Sequence, residues 1–400
     1  MQDNGDHTDG TLNDPALLEI RDRHVDASKA LPCTDRAGFA RELQQLGRQL
    51  RASVDAADFA HLKKMQRWGR MSTLAGLLLA TIAVNPIAIF LLSLGNVARW
   101  SQIAHHVMHR GYDRVPNLPR RYHSQHFARG WRRFVDWLDW MDTAAWAHEH
   151  NHLHHHHTGE IHDPDLVEHH ARITRNPKLP RPVKWLLLVF LMCTWKLSYY
   201  APNTLFALQC KWRGEVGVPG VCTRTIFPGE KLWVPNSGAA LEFYLRCVLP
   251  YPLLRFGLLP SLFLPFGHAV YLAVLINLLL AELLANLHSF LIIAPNHAGE
   301  DLYRYASGQS GREDYFLRQV LGSCNYPGGS DWADFWQGYL NYQIEHHLWP
   351  DLPMLKYRQA APQVQAICAR YGVPYIQQSV WRRFAKLWGI LNGTAKMRGA

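Results

Sequence analysis

Histidines gather at three places in this chain. His105, His106 and His109 lie in "HHVMH", seven histidines fill the ten residues "HEHNHLHHHH" from His148 to His157, and "QIEHH" runs from Gln343 to His347. A helix turns residues i, i+3 and i+4 onto one face. On that spacing His105 joins His109, His150 joins His154 and the adjacent His155, and Gln343 joins His346 and His347. Imidazole suits zinc, copper, iron and nickel. A four-coordinate zinc takes four ligands at most, whereas three convergent groups offer about eight. That count argues for two metal ions and against a single zinc.

Groups so far apart in the chain need a scaffold to bring them together. Ser72 to Ala98 and Phe256 to Ala281 carry no charge, and each exceeds the ~20 apolar residues that span a bilayer core. A polar stretch precedes the first run, so that run does not read as a secretory signal peptide. All three histidine groups lie outside the apolar runs. To share a site they must lie on one side of the membrane, which requires an even number of crossings between the second group and the third. Three apolar segments lie there. Residues 247–266 and 268–294 are taken as the crossing pair, and 185–210, with Lys196 inside, is placed at the interface, because a lysine at a helix centre costs roughly 2.5–3.5 kcal/mol on insertion. Asn85-Pro86 breaks the first run, so 72–98 reads as part of a hairpin, with the N-terminus on the side of the histidines. The expected fold is mainly α: an integral membrane helical protein with about four transmembrane helices and a cytosolic helical cap holding a di-metal site. Residues 1–65 read as a polar extension, disordered over 1–30 and amphipathic helix over 35–65. Residues 66–378 read as the membrane domain and 379–400 as a basic tail.

The net charge of +10 fits Lys63, Lys64, Arg67, Arg70 and Arg99 flanking the first span on its cytoplasmic side. It also suits an acidic redox partner. No nucleic-acid signature is present. The seven cysteines are scattered without a CxxC pair, which excludes an iron–sulfur or thioredoxin-like motif and suggests free thiols in a reducing compartment. A dinucleotide fingerprint and an "HPGG" haem motif are also missing.

"HHVMH", "HNHLHH" and "NYQIEHHLWPDLP", in that order, resemble the three histidine boxes of the membrane fatty acid desaturase and hydroxylase superfamily. The Gln that opens the third box is similar to its acyl-lipid and front-end branch. The resemblance covers roughly residues 70–375 and includes "DPD" at Asp163–Asp165 and "EDYFLRQVLGSCNYPGG" before the last box. It implies a non-haem di-iron centre that uses O2 to desaturate an acyl chain carried by lipid or thioester, with a hydroxylase as the alternative outcome. The implied ligands are His105, His109, His150, His154, His155, His346 and His347, with Gln343 acting directly or through water. His297, at the end of the cleanest apolar helix, matches an extra ligand of the family. The electrons would come from a separate ferredoxin or cytochrome b5 type protein, and the boxes would face the cytosol from an inner or endomembrane.

Competing readings remain at this level. His148-Glu149-His150-Asn151-His152 fits the HExxH zinc-protease pattern but leaves the other two boxes unexplained. A histidine-rich metal transporter would place ionisable residues inside its spans, which here are nearly free of them apart from Glu282 and His288. His148, His152, His156 and His157 fall outside the ligand set. His288 reads as a packing or substrate-channel residue, His268 as interfacial, His123 and His126 as outside candidates for the site, and His7, His24 and His61 as surface. Metal-binding histidines pass their second N–H to an acceptor, and Asp142, Glu149, Asp163, Asp165, Glu345 and Asp351 are near enough in sequence to serve.

Overall fold

A computed structural model describes residues 31–160, 162–175, 179–214, 228–305, 308–309 and 311–399; the disorder expected over 1–30 lies outside them. The apolar periodicity after Asp35 becomes helix α1 (Arg36–Ala52), which buries Phe39, Leu43, Leu46 and Leu50, with the Asp35 carboxylate capping Gly38 N at 2.9 Å. Helix α2 (Ala56–Ala80) starts with a capping box formed by Asp55 and Asp58. The break at Asn85-Pro86 is the start of α3 (Pro86–Met108): Asn85 caps Ala88 N at 2.8 Å and Pro86 takes the first turn, where its missing N–H costs nothing. Helices α2 and α3 form the expected hairpin. Their backbones approach closely at Gly76, where a Cβ would stand 2.8 Å from Leu92 Cγ.

The first histidine box lies outside the apolar run 72–98, on the helix that continues it. Helix α3 runs on through a π turn, Ala98–Ala104, and carries His105 on the same continuous rod. The second box lies on α4 (residues 143–157). Next come α5 (residues 181–212), α6 (Gly238–Phe266) and α7 (His268–Asn296). Helices α3, α6 and α7 are long and apolar enough to cross a membrane. Helix α2 carries Lys63, Lys64, Arg67 and Arg70 and, among the described residues, does not join that set. Helix α6 accommodates Pro250, Pro252 and Pro260 by alternating α and π turns, since a proline removes one N–H from the ladder and a wider turn re-closes it. Leu245, Leu249, Leu253 and Leu262 stand exposed along it, as a lipid-facing surface would.

Lys196, the reason for placing 185–210 at the interface, is buried on α5 in an ion pair. Its Nζ lies 2.7 Å from Asp139 and 3.7 Å from Glu282, and Trp140 Nε1 donates to Glu282 at 2.9 Å. The lysine's insertion cost is thus offset within the protein. Lys196→Met should lower stability by about 3–5 kcal/mol, because it strands a buried carboxylate. An unchanged thermal midpoint in detergent would show that Asp139 has another partner.

The C-terminal part caps the bundle with α8 (Arg312–Leu321), α9 (Gln343–Leu348), α10 (Met354–Arg370) and α11 (Val380–Asn392). Among the described residues the one ladder joins Tyr303–Arg304 to Arg398–Gly399, with isolated bridges at Glu160–Tyr305 and Asn325–Gln377. His61, expected at the surface, is buried, with Nε2 2.7 Å from the Tyr339 hydroxyl. His288 packs on Trp336, its Nε2 2.9 Å from the Trp336 carbonyl.

Candidate metal centre

Four elements deliver imidazoles to one place: the end of α3, the middle of α4, α9, and the turn after α7. Asp142 begins α4 by accepting from Ala144 N and Ala145 N at 2.9 and 3.1 Å. The helix then widens into a π turn at Glu149–His154. In a π turn i and i+5 become neighbours, so i+4 and i+5 straddle one face. His150 therefore meets both His154 and His155, with ring centroids 5.2 and 4.9 Å away.

Two groups of ligand atoms result. His105, His109, His150 and His346 bring one nitrogen each within 4.8 Å of one another, and so do His154, His297 and His347. In the first group His105 Nε2 lies 3.1 Å from His346 Nε2 and 3.3 Å from His150 Nε2. Beside the second, the Gln343 amide donates to His297 Nε2 at 2.8 Å. His155 bridges the two groups: its ring centroid is 4.6 Å from that of His109 and 4.3 Å from that of His347. All nine residues expected from the sequence are therefore brought together. The outer row, His148, His152 and His156, packs ring against ring at 6.0 and 6.3 Å, and none of the three, the two histidines of the protease pattern among them, belongs to the groups of ligand atoms. His126 binds Arg120 instead, and His123 faces Asp113.

Burial, reinforced by the neighbouring imidazoles, holds His109, His150, His155, His346 and His347 well below the ordinary histidine pKa, and burial takes His297 down to about 3. These rings are neutral at physiological pH, the state a metal ligand needs. His154 differs: against the lowering by burial, the Asp163 carboxylate 2.9 Å from its Nδ1 raises its pKa. Asp165 joins His150 and His154 in a third group, and burial pushes its own pKa up to about 6. Burial and the adjacent Asp165 and Asp163 hold the Glu149 carboxyl far above its usual range.

The other carboxylates do structural work. Asp142 caps α4 and pairs with Arg133 and Arg246, and Asp351 pairs with Arg51 and Arg114. Glu345 accepts from Asn325 and Tyr375 at 2.8 and 3.0 Å, locking the third box to its neighbouring loop. Sequence spacing missed several ring-holding groups: Gln319 and Thr158 on His347 Nδ1, both at 3.0 Å, and Tyr357 at 3.3 Å from His346 Nδ1. Gln319 and Thr158 belong to other elements, so local periodicity carries no sign of them.

An apolar cavity opens from His105, His150, His154 and His297 and is walled by Trp100, Trp146, Trp195, Tyr200 and Phe290. Membrane-length helices, imidazole groups that could hold metal, and this cavity define a class: a helical membrane protein with a histidine cluster beside an apolar cavity. The fatty acid desaturase family matches residues 80–379, and the chain belongs to it. It is similar to the NADPH-dependent stearoyl-CoA 9-desaturase of Mycobacterium tuberculosis, 25% identical over 382 residues that cover 92% of this chain and 82% of the relative. It is also similar to the acyl-lipid (8-3)-desaturase of Rebecca salina, 25% identical over 262 residues, 64% of this chain and 53% of that one. A shorter stretch of 68 residues is 41% identical to fatty acid desaturase 3 of Bos taurus, covering 17% and 15%. The desaturase reading prevails over hydroxylase, transporter and protease.

Proposed function

We propose that this chain is an O2-dependent acyl-chain desaturase that holds two irons. One ion would be bound by His105, His109, His150 and His346, the other by His154, His297 and His347. Gln343 would serve the second, directly or through water, and His155, between the groups, would serve one of the two. The observation that carries this reading is the convergence of two imidazole groups, with several ring nitrogens in and between them left without a hydrogen-bond partner. His109 Nε2, His347 Nε2, His297 Nδ1 and both nitrogens of His155 are buried without a hydrogen bond. An unsatisfied buried polar atom costs roughly 1–3 kcal/mol, and ligation would satisfy His109 Nε2, His347 Nε2, His297 Nδ1 and one nitrogen of His155. Seven or more neutral nitrogen donors suit iron and exceed what one tetrahedral zinc uses.

When bound, the iron pair would supply the dioxygen chemistry needed to take hydrogens from an unactivated methylene. The overall change removes two hydrogens from adjacent carbons and, with two external electrons and two protons, converts O2 to two waters. The protein's part is positioning. Asp163 holds the Nδ1 proton of His154, and Gln319 Oε1 can hold that of His347, leaving each Nε2 free to ligate. Trp146 stacks on His150 with centroids 4.7 Å apart. The aromatic wall would keep water from the reacting carbons and hold the acyl chain beside the imidazoles.

The mycobacterial relative acts on stearoyl-CoA, which supports a long acyl thioester as substrate here; an acyl lipid is the other carrier. The electron donor would be a separate ferredoxin or cytochrome b5 type protein. We place the catalytic unit at residues 66–378 and the histidines at the cytosolic side of an inner or endomembrane. The basic first half of α2 supports that orientation, since it meets the C-terminal cap segment that leads into the third box through His61 and Tyr339, 2.7 Å apart.

Expression in a host lacking the product, with gas chromatography of total fatty acids, tests this. A new unsaturated acid is expected, together with about two irons per purified chain, the number these donors suit. An unchanged acid profile overturns the proposal; a hydroxy acid would reassign the outcome.

A further inference from the structure

Helix α11 lies beyond residues 80–379, the part that matches the family. It is nevertheless built into the cavity that starts at the histidines. Leu387 and Leu391 line that cavity. They stand four residues apart and so share one helix face; both are buried, and they pack in one cluster with Leu188 of α5 and Ala298, the residue after His297.

The helix is fixed at both ends. Arg383, with no exposed surface, donates to both Asp301 oxygens at 2.6 and 2.8 Å and to the carbonyls of Ala298 and Pro295 at 2.9 and 3.3 Å. It thereby ties α11 to the turn that carries His297. At the other end the Thr174 hydroxyl donates to the Leu391 carbonyl at 2.6 Å, and Arg175 Nε donates to that of Ile390 at 2.9 Å. A wall held this way cannot swing aside for a longer guest.

We infer that α11 closes the cavity around the methyl end of the acyl chain, and that Leu387 and Leu391 set the chain length accepted. This rests on the desaturase reading above. Chemistry selects the methyl end. The leucine face offers no charge, the neighbouring Thr174 hydroxyl is already used by the Leu391 carbonyl, and Arg175 is engaged by the Ile390 carbonyl and Glu168, so among the described residues no free polar group is left there for a carrier headgroup. The polar end of the cavity is the one bearing His105, His150, His154, His297 and Gln343.

The test is turnover of palmitoyl, stearoyl and eicosanoyl thioesters by the full chain, supplied with electrons in isolated membranes and read by gas chromatography. One methylene in an apolar pocket discriminates by roughly 10-fold or more. Leu391→Phe and Leu387→Phe should move the palmitoyl-to-stearoyl product ratio up by about that factor. Leu391→Ala should move preference toward the longer chain, as should the milder Leu391→Val, which removes a single methylene and keeps the helix packed if the larger changes prevent accumulation. A wild-type length profile in the variants that accumulate, or shifts of the same sign from Phe and Ala, overturns the inference. Absence of product from the unaltered chain with every thioester would instead overturn the desaturase reading, and this inference with it.

Discussion

His346→Ala yields no unsaturated product above about 1% of the wild-type level, while the protein still reaches the membrane. The expectation exceeds the roughly 10–100-fold penalty for losing a mere outer partner of a ligand, because His346 is the most central imidazole of the cluster. Its Nε2 lies 3.1 Å from that of His105, and its ring centroid is 4.8 Å from that of His109 and 4.7 Å from that of His155. It has no exposed surface. Deleting it reduces the first ligand group to three nitrogens, and iron content should fall with activity. His156→Ala is the matched control: the side chain is exposed and belongs to the outer row, so activity should stay within about twofold, since surface substitutions are usually near neutral. Gas chromatography and metal analysis on the two variants decide the matter. Activity above a tenth of wild type in His346→Ala, or an inactive His156→Ala, would sink the ligand assignment.

The sequence carried the site further than it carried the scaffold. Boxes one and three are legible because their proposed ligands obey helical spacing, and His105 with His109, or His346 beside His347, needs no tertiary knowledge. Box two is legible only in part. A stretch with seven histidines in ten residues leaves the inward phase open, and the π turn at Glu149–His154 settles it by turning His154 and His155 together toward His150. Hydropathy located the spans, yet Lys196 looked like an obstacle because its partner Asp139 is 57 residues away. The same blindness hid Gln319 and Thr158, whose contacts to His347 join distant segments. Residues 379–400 show in sequence mainly their basic charge, but the leucines among them occupy one face of α11 and complete a cavity whose other walls include parts of α3, α4, α5, α7 and α9.

Asp163→Ala should lower activity about 10–100-fold, with a matching loss of iron affinity. The carboxylate sits 2.9 Å from His154 Nδ1, and both groups are almost fully buried. It orients the ring and keeps the proton on Nδ1, so that Nε2 faces His297 and His347 with its lone pair free. Without it the ring can rotate, and its tautomer is no longer fixed. Asp163 also accepts from Gly159 N and Asp165 N, each at 2.9 Å, so a purely structural role must be separated from a positioning role. Iron does that. If Asp163 acts on His154, excess ferrous iron should restore much of the lost activity, because weakened binding yields to mass action. Asp163→Asn should fall between alanine and wild type, since the amide oxygen can still accept from His154 while the charge is gone. Activity that stays low at every iron concentration, with normal iron content, would assign Asp163 to the turn rather than to the metal centre.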